Sequence, residues 1–471
     1  MTRNILSPCD AAMAGRARAS ARGPAHPNFV LATCILASSL AFIEGGVLNV
    51  ALPAIGPSFR ASPAAVQWVI NAFTLPLSAL LLLGGAAGDR YGRRLCLALG
   101  MAMFAFSSIL CALAPSLTLF LAGRAFQGIG AAMVLPNSLA ILGAAFEGER
   151  RGRAVGLWAA LGAVAGAAAP PLGGWLVDRA GWPSVFYVNL PVVAAALPLA
   201  FRYVGESAEP ARAPPDWAGA AAATAGLGAL AFGLTLWSGG RGGAAGRAWW
   251  VVAGTALLLL FLLQERRRGD GAMMPLSLFA SRRFAGLTLL AFLLYGAFGG
   301  MLVLLPYVLI GASGYSALAA GTALLPLPAV IAGLSPLTGR LAARTGPRLP
   351  LTIAPSIVGG AFLLTLRIGA DAAYLAEVLP AVLLMAIGMA FAAAPLTTAV
   401  LGSVDERHTG TASGLNSAVS RSGGLIATAL LGSVLGARGP ALVAGFHHVA
   451  LAAAAICAAA SLSALLLLSG D

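Results

Sequence analysis

Apolar runs of about 20 residues recur along almost the whole chain, each long enough to cross roughly 30 Å of hydrocarbon as a helix. Bounded by proline, glycine and charge, they give fourteen candidate spans, starting near residues 29, 66, 94, 117, 152, 183, 217, 248, 284, 317, 349, 374, 410 and 440. The eighth, around Trp249 to Leu263, is short and abuts Gln264 to Arg268, which leaves a count of thirteen open. An even count places both termini on one side. No soluble domain of useful size fits between the runs. Of the 471 residues, 59% are hydrophobic and 10% charged, against about 25% charged in an ordinary soluble domain. Water is not the main solvent of this chain.

The formal charge is +13, and all 29 basic residues are arginines. In a soluble protein such an excess points to nucleic acid. Here the positions decide otherwise. With the N-terminus inside, the inside segments hold 21 arginines, the outside segments hold 6, and Arg124 and Arg421 fall within apolar runs. That asymmetry is the positive-inside rule. The charge therefore reports topology and contact with anionic lipid headgroups, and no nucleic-acid partner is expected. Residues 1–28 lack the apolar core of a cleaved signal peptide and read as a disordered cytoplasmic tail. Cys34, Cys96, Cys111 and Cys457 lie in or beside apolar runs and Cys9 in the tail, so packing is expected of them rather than disulfides or metal.

The chain also repeats itself. After the second span comes Gly85-Ala-Ala-Gly-Asp-Arg-Tyr-Gly-Arg-Arg94, and after the tenth Gly339-Arg-Leu-Ala-Ala-Arg-Thr-Gly-Pro-Arg348, an offset of 254 residues. The fifth span opens on Gly152-Arg-Ala-Val-Gly-Leu157 and the thirteenth on Gly410-Thr-Ala-Ser-Gly-Leu415, an offset of 258. Both step forward by eight spans. Two six-helix bundles separated by a pair of extra helices produce that step, the architecture of transporters built from two related halves around a central site. The expected units are 29–204, an extra pair within 205–270, and 271–471.

The segment Gly85 to Arg94 resembles the signature loop between helices 2 and 3 of the major facilitator superfamily. Glu44-Gly-Gly-Val-Leu-Asn-Val-Ala-Leu-Pro resembles the helix 1 motif of its fourteen-helix drug:proton antiporters, Arg124-Ala-Phe-Gln-Gly-Ile-Gly-Ala-Ala their helix 4 motif, and Ala169-Pro-Pro-Leu-Gly-Gly their helix 5 motif. The resemblance covers nearly the whole chain. It implies an all-α integral membrane protein of the major facilitator fold, working by alternating access as a proton-driven exporter of small hydrophobic or amphiphilic compounds. A monomer in the bacterial inner membrane, with both termini cytoplasmic, is expected. There are departures. Glu44 stands where the family usually has Asp, Ala165 and Ala169 replace expected glycines, and Ala343 replaces the loop's Asp in the second half.

Glu44 is the carboxylate deepest in any span, and a charge there costs roughly 2.5–3.5 kcal/mol on insertion scales. It reads either as the proton carrier, with Arg124 its natural partner, or as a protonated carboxyl bonded between helices. Asp89, Arg90 and Arg93 read as a latch between the bundles, or as topology anchors with local pairing. Gly162, Gly166 and Gly173 form a small-residue stripe for close helix packing, either pivot or static contact. Candidates for substrate contact are Asn49, Asn71, Gln127, Trp158, Tyr295, Tyr307, Asn416 and Arg421, with Trp68 also considered. Trp182, Tyr187, Trp217, Trp249 and Trp250 suit the membrane interface.

No metal or other cofactor is expected. A catalytic constellation of His, Asp, Cys or Ser is missing, and His447 and His448 make a poor metal pair, which argues against an enzyme. The absence of a sizeable extramembrane domain argues against a receptor. A metabolite importer of the same fold remains the nearer rival, since export rests on the resemblance alone.

Overall fold

A computed structural model of the protein describes residues 26–208, 215–240, 243–269, 272–405 and 409–468. Most of the expected tail, and Cys9, lie outside the described residues, while the helical part of that segment begins at Pro27. Fourteen long helices follow in chain order: α1 (Pro27–Ser58), α2 (Pro63–Tyr91), α3 (Arg93–Ala112), α4 (Leu117–Ala145), α5 (Gly148–Ala180), α6 (Ser184–Tyr203), α7 (Trp217–Ser238), α8 (Ala244–Arg268), α9 (Arg282–Gly311), α10 (Ala317–Thr345), α11 (Arg348–Arg367), α12 (Tyr374–Leu401), α13 (Thr409–Ala429) and α14 (Pro440–Leu467).

Among the described residues thirteen of these are long and apolar enough to cross a membrane. The helix that falls short is not the eighth, as its brevity suggested. With 25 residues, α8 qualifies. The exception is α13, whose 21 residues include Ser413, Asn416, Ser417, Ser420, Arg421 and Ser422. A helix that polar is sustained by neighbours and a wet face, not by lipid.

Local chemistry sets the boundaries. Ser62 caps α2, its hydroxyl accepting from the Ala65 amide at 3.3 Å, and Pro63 supplies the fixed φ of a first turn. The corner between α2 and α3 turns on Gly92 at φ +120°, and the matching corner of the repeat, before α11, turns on Gly346 at φ +79°. Only glycine adopts these angles without strain. Proline also divides α10, which breaks at Leu324–Leu325 just before Pro326.

Packing repeats with the sequence. Within the first half α1 packs on α5 and α6, α4 on α2 and α3, and α3 on α6; within the second, α9 packs on α13 and α14, α12 on α10 and α11, and α11 on α14. Each pair recurs eight helices later, which gives two six-helix bundles. The extra hairpin α7–α8 leans on them through α7, which contacts α2 and α13. Its ends are tied by Asp216, which caps the Gly219 amide at 2.7 Å and pairs with Arg268 at 3.1 Å.

The halves meet through α5–α10, α2–α13 and α1–α9. One end of the molecule gathers the junctions α2–α3, α4–α5, α8–α9 and α10–α11, where most of the described arginines lie. At the opposite end α5 and α10 touch backbone to backbone: a Cβ on Gly174 would overlap the Ala317 carbonyl, and one on Gly321 the Pro170 carbonyl. Toward the arginine-rich end they part. Gly152 and Gly156 on α5, and Gly333 on α10, have no atom within 4 Å of a Cβ position. Between α5 and α10 the cleft is closed at the arginine-poor end and open at the other.

Candidate functional site

Glu44 lies midway along α1, on the face turned into the first bundle. Its carboxylate pairs with Arg124 of α4, and the two residues are 3% and 1% exposed. The guanidinium has further partners: Nε donates to the Val69 carbonyl at 3.1 Å and Nη1 to Gln127 Oε1 at 2.7 Å. Its plane sits 4.6 Å from the Phe73 ring centre and 5.9 Å from that of Phe186, within cation–π range. On the other side Asn189 of α6 donates to Glu44 Oε2 at 3.1 Å and to Ser108 of α3 at 3.2 Å. Gln127 also donates to Ser108, at 2.8 Å.

Two charges removed from water are tolerated only when paired and hydrogen-bonded, and this network does both. It joins α1, α2, α3, α4 and α6 at one point. A proton placed on Glu44 must therefore break a contact on which five helices converge.

The structure redistributes the residues expected at the cleft. Gln127 is fully buried and belongs to the ion-pair network, because the stripe it shares with Arg124 faces the bundle interior. Asn71 is also fully buried, with neither side-chain atom hydrogen-bonded. The Tyr307 hydroxyl donates to the Leu435 carbonyl at 2.8 Å and holds the segment after α13. Trp68 packs on Phe232 of α7, 6.0 Å between ring centres. Trp158 is half-buried, donates to Ser38 Oγ at 2.9 Å and packs edge-on to Phe42.

The face of the cleft on α1 is marked by Gly45, which is exposed although α4, α5, α6 and α9 surround the helix. Asn49 lies one turn further along that face, half-buried. In the second half Tyr295 and Arg421 are half-buried and, among the described residues, neither has a hydrogen-bond or ionic partner. Asn416 borders a cavity of about 60 Å³ with Thr397, Val400, Leu401, Ser413 and Ser417, and its Oδ1 is buried and unpartnered.

The stripe Gly162, Gly166 and Gly173 packs α5 onto α1 inside one bundle, against Phe42 and Val47. Contact with the other bundle uses the neighbouring stripe, Pro170, Gly174 and Asp178. The Asp178 carboxylate accepts from the Ala317 and Leu318 amides at 3.2 and 2.9 Å, capping α10 across the halves. On α2, Gln67 makes a second crossing, donating to the carbonyls of Thr428 and Ala429 at 2.9 Å each. Asn189, Ser108, Asp178 and Gln67 were not singled out from sequence. A usable signal existed for Asn189 alone, a polar residue in the middle of an apolar run.

At the arginine-rich end Asp89 accepts from Arg93 at 2.7 Å across the α2–α3 corner, and Glu206 caps α3 by accepting from the amides of Arg94 and Leu95 at 3.0 and 3.2 Å. Arg90 sits beside them, its guanidinium 6.0 Å from the Tyr91 ring centre. His447 contacts the Ile368 carbonyl at 3.0 Å, a tie between helices.

The sequence profile of the Major Facilitator Superfamily matches residues 34–428. The chain is 35% identical over 401 residues to the multidrug resistance protein Stp of Mycobacterium tuberculosis (strain CDC 1551 / Oshkosh), spanning 84% of this chain and 73% of that protein. It is 35% identical over 415 residues to the methylenomycin A resistance protein of Bacillus subtilis (strain 168), spanning 86% and 87%. With the tetracenomycin C resistance and export protein of Streptomyces glaucescens it shares 29% over 401 residues, spanning 84% and 73%. A crystal structure of a POT family transporter in complex with 5-aminolevulinic acid superposes with a TM-score of 0.68 at 15% identity, covering 93% of this chain and 95% of that one, a likeness of fold. From the profile match over most of its length, its resistance-protein relatives and its paired bundles, this chain belongs to the Major Facilitator Superfamily.

Proposed function

We propose that the chain is a proton-coupled exporter of small hydrophobic or amphiphilic compounds, an antiporter working by alternating access as a single chain. The observation that carries this is the Glu44–Arg124 pair, a protonatable group held by a fixed cation where several helices meet. The relatives' names, which speak of multidrug resistance, antibiotic resistance and export, support the direction. By the positive-inside rule the arginine-rich end faces the cytoplasm of a bacterial inner membrane, against its anionic lipids. The cleft in this structure then opens inward.

In the cycle that follows, a compound enters the cleft from the cytoplasm or inner leaflet while Glu44 is held by Arg124. The α5–α10 and α2–α13 contacts at the outer end part, the inner ends close, and Asp89, Arg90 and Arg93 latch them. A proton from outside then loads Glu44 and the compound leaves. Each charge moved with the field contributes about 2.3 kcal/mol per 100 mV.

The test uses inverted membrane vesicles carrying an imposed proton gradient. Exported compounds should dissipate the gradient with the native protein and not with Glu44→Gln. Dissipation that persists in Glu44→Gln removes Glu44 from the coupling. Accumulation in right-side-out vesicles with the gradient identifies an importer.

A further inference from the structure

Arg421 occupies the middle of α13, the most polar long helix of the molecule. A guanidinium carries a positive charge and offers only donors. Arg124, the other arginine deep in a span, has a carboxylate, a carbonyl, an amide oxygen and an aromatic face around it. Arg421 has none of these among the described residues. The carboxylate that could neutralise it, Glu44, is committed to Arg124 and sealed in the other bundle.

Helix packing shows where Arg421 points. Gly423 of α13 abuts Phe292 and Gly296 of α9; Gly414 abuts Leu82 of α2; Leu425 and Ala429 pack with Ala231 of α7. The face that carries Ser417, Arg421 and Gly424 at helical spacing lies between the α9 contact and the α2 contact, with Arg421 about two turns from Gly414 on the α2 side. Gly424 has no atom within 4 Å of a Cβ position, so that side borders open space. Tyr295 precedes Gly296, at the level of the contact with Gly423, and its hydroxyl has no partner among the described residues. The cleft thus contains a fixed, half-buried cation beside apolar walls, at the level of an uncommitted hydroxyl on α9. The repeat does not create this feature, since an offset of 258 residues aligns Arg421 with Ala163.

We propose that Arg421 is the anion-recognising residue of the cleft, and that the compounds this protein carries bear a carboxylate or comparable acidic group on an apolar body. The proposal rests on the cleft being the substrate site of the exporter. A permanent cation is disfavoured there, because among the described residues no acidic group pairs with Arg421 to offset it.

The test measures equilibrium binding to the purified full-length protein in a neutral detergent, without a proton gradient, so that it stands apart from any failure of coupling. The probes are 1-naphthylacetate, its methyl ester, and naphthylmethyl-trimethylammonium. The native protein should bind the carboxylate about tenfold or more tighter than the ester, and the ammonium least. In Arg421→Gln that preference should fall to about twofold or less with ester binding unchanged, and in Arg421→Lys most of it should remain. Arg421→Gln should also melt at a higher temperature without ligand, since it removes an uncompensated charge, so poor folding cannot explain lost preference. An undiminished carboxylate preference in Arg421→Gln, a preference for the ammonium, or no binding of naphthylacetate at millimolar concentration overturns the proposal. Phosphatidylglycerol in mixed micelles distinguishes a lipid phosphate from a transported acid. Displacement of naphthylacetate by that lipid overturns the proposal and makes Arg421 a headgroup anchor.

Discussion

Asp178 Oδ2 lies 2.9 Å from the amide nitrogen of Leu318, so a carboxylate at the end of one bundle caps the first helix turn facing it in the other. An acidic group at a helix N-terminus is favoured by the unpaired amides and by the helix dipole. Removing such a cap costs about 1 kcal/mol. Asp178→Ala should therefore shift the population toward the state open at the arginine-poor end by about fivefold. Spin labels at Arg179→Cys and Ala312→Cys, measured as a distance distribution, should show the longer component grow. An unchanged distribution means the cap is incidental to closure.

Gly174 and Gly156 lie on the same helix and should respond oppositely to alanine. A Cβ at Gly174 overlaps the Ala317 carbonyl, whereas one at Gly156 meets nothing within 4 Å. Gly174→Ala should prevent full closure at the arginine-poor end and slow transport severely. Gly156→Ala should leave transport intact and add about 0.5–1 kcal/mol of helix stability. Efflux rates and melting temperatures of the two variants check both.

Breaking the ion pair should be more harmful than deleting it. Loss of one partner from a buried pair costs about 3–5 kcal/mol because the other charge is left uncompensated. Glu44→Gln and Arg124→Gln should each lower the melting temperature sharply, and the double variant should recover part of the loss. Additive effects in the double-mutant cycle contradict a coupled pair. Transport driven by a pH difference should be absent from all three.

At the arginine-rich end, Asp89→Asn weakens a partly exposed contact with Arg93 that holds the α2–α3 corner. Turnover should slow several-fold while ligand affinity stays nearly constant, since Asp89 lies outside the cleft. A large loss of affinity in equilibrium binding counts against the latch.

Much of the architecture was legible because its signals are local. The seventh, tenth and twelfth helices begin at Trp217, Ala317 and Tyr374, where punctuation placed them. Bilayer thickness sets run length, and proline, glycine and capping residues mark the ends. The two deep charges of the first bundle were visible too. Their contact was not, because Glu44 and Arg124 are 80 residues apart and meet only through the packing of α1 on α4.

What the sequence by itself determined is therefore the helical class, the helix boundaries and the repeat with its extra pair, all written in hydrocarbon length and in residue order. Tertiary structure alone decided which face of each helix meets what. It put Gln127 and Asn71 inside the bundle, turned Gly173 toward α1 and the adjacent Gly174 toward α10, and left Arg421 half-buried near the open side of α13 at Gly424. The physical reason is that lipid and protein interior are almost equally apolar, so a membrane helix carries little hydrophobic signal of its rotation. A step of one residue turns a side chain by about 100°, and only the neighbouring helices select the angle.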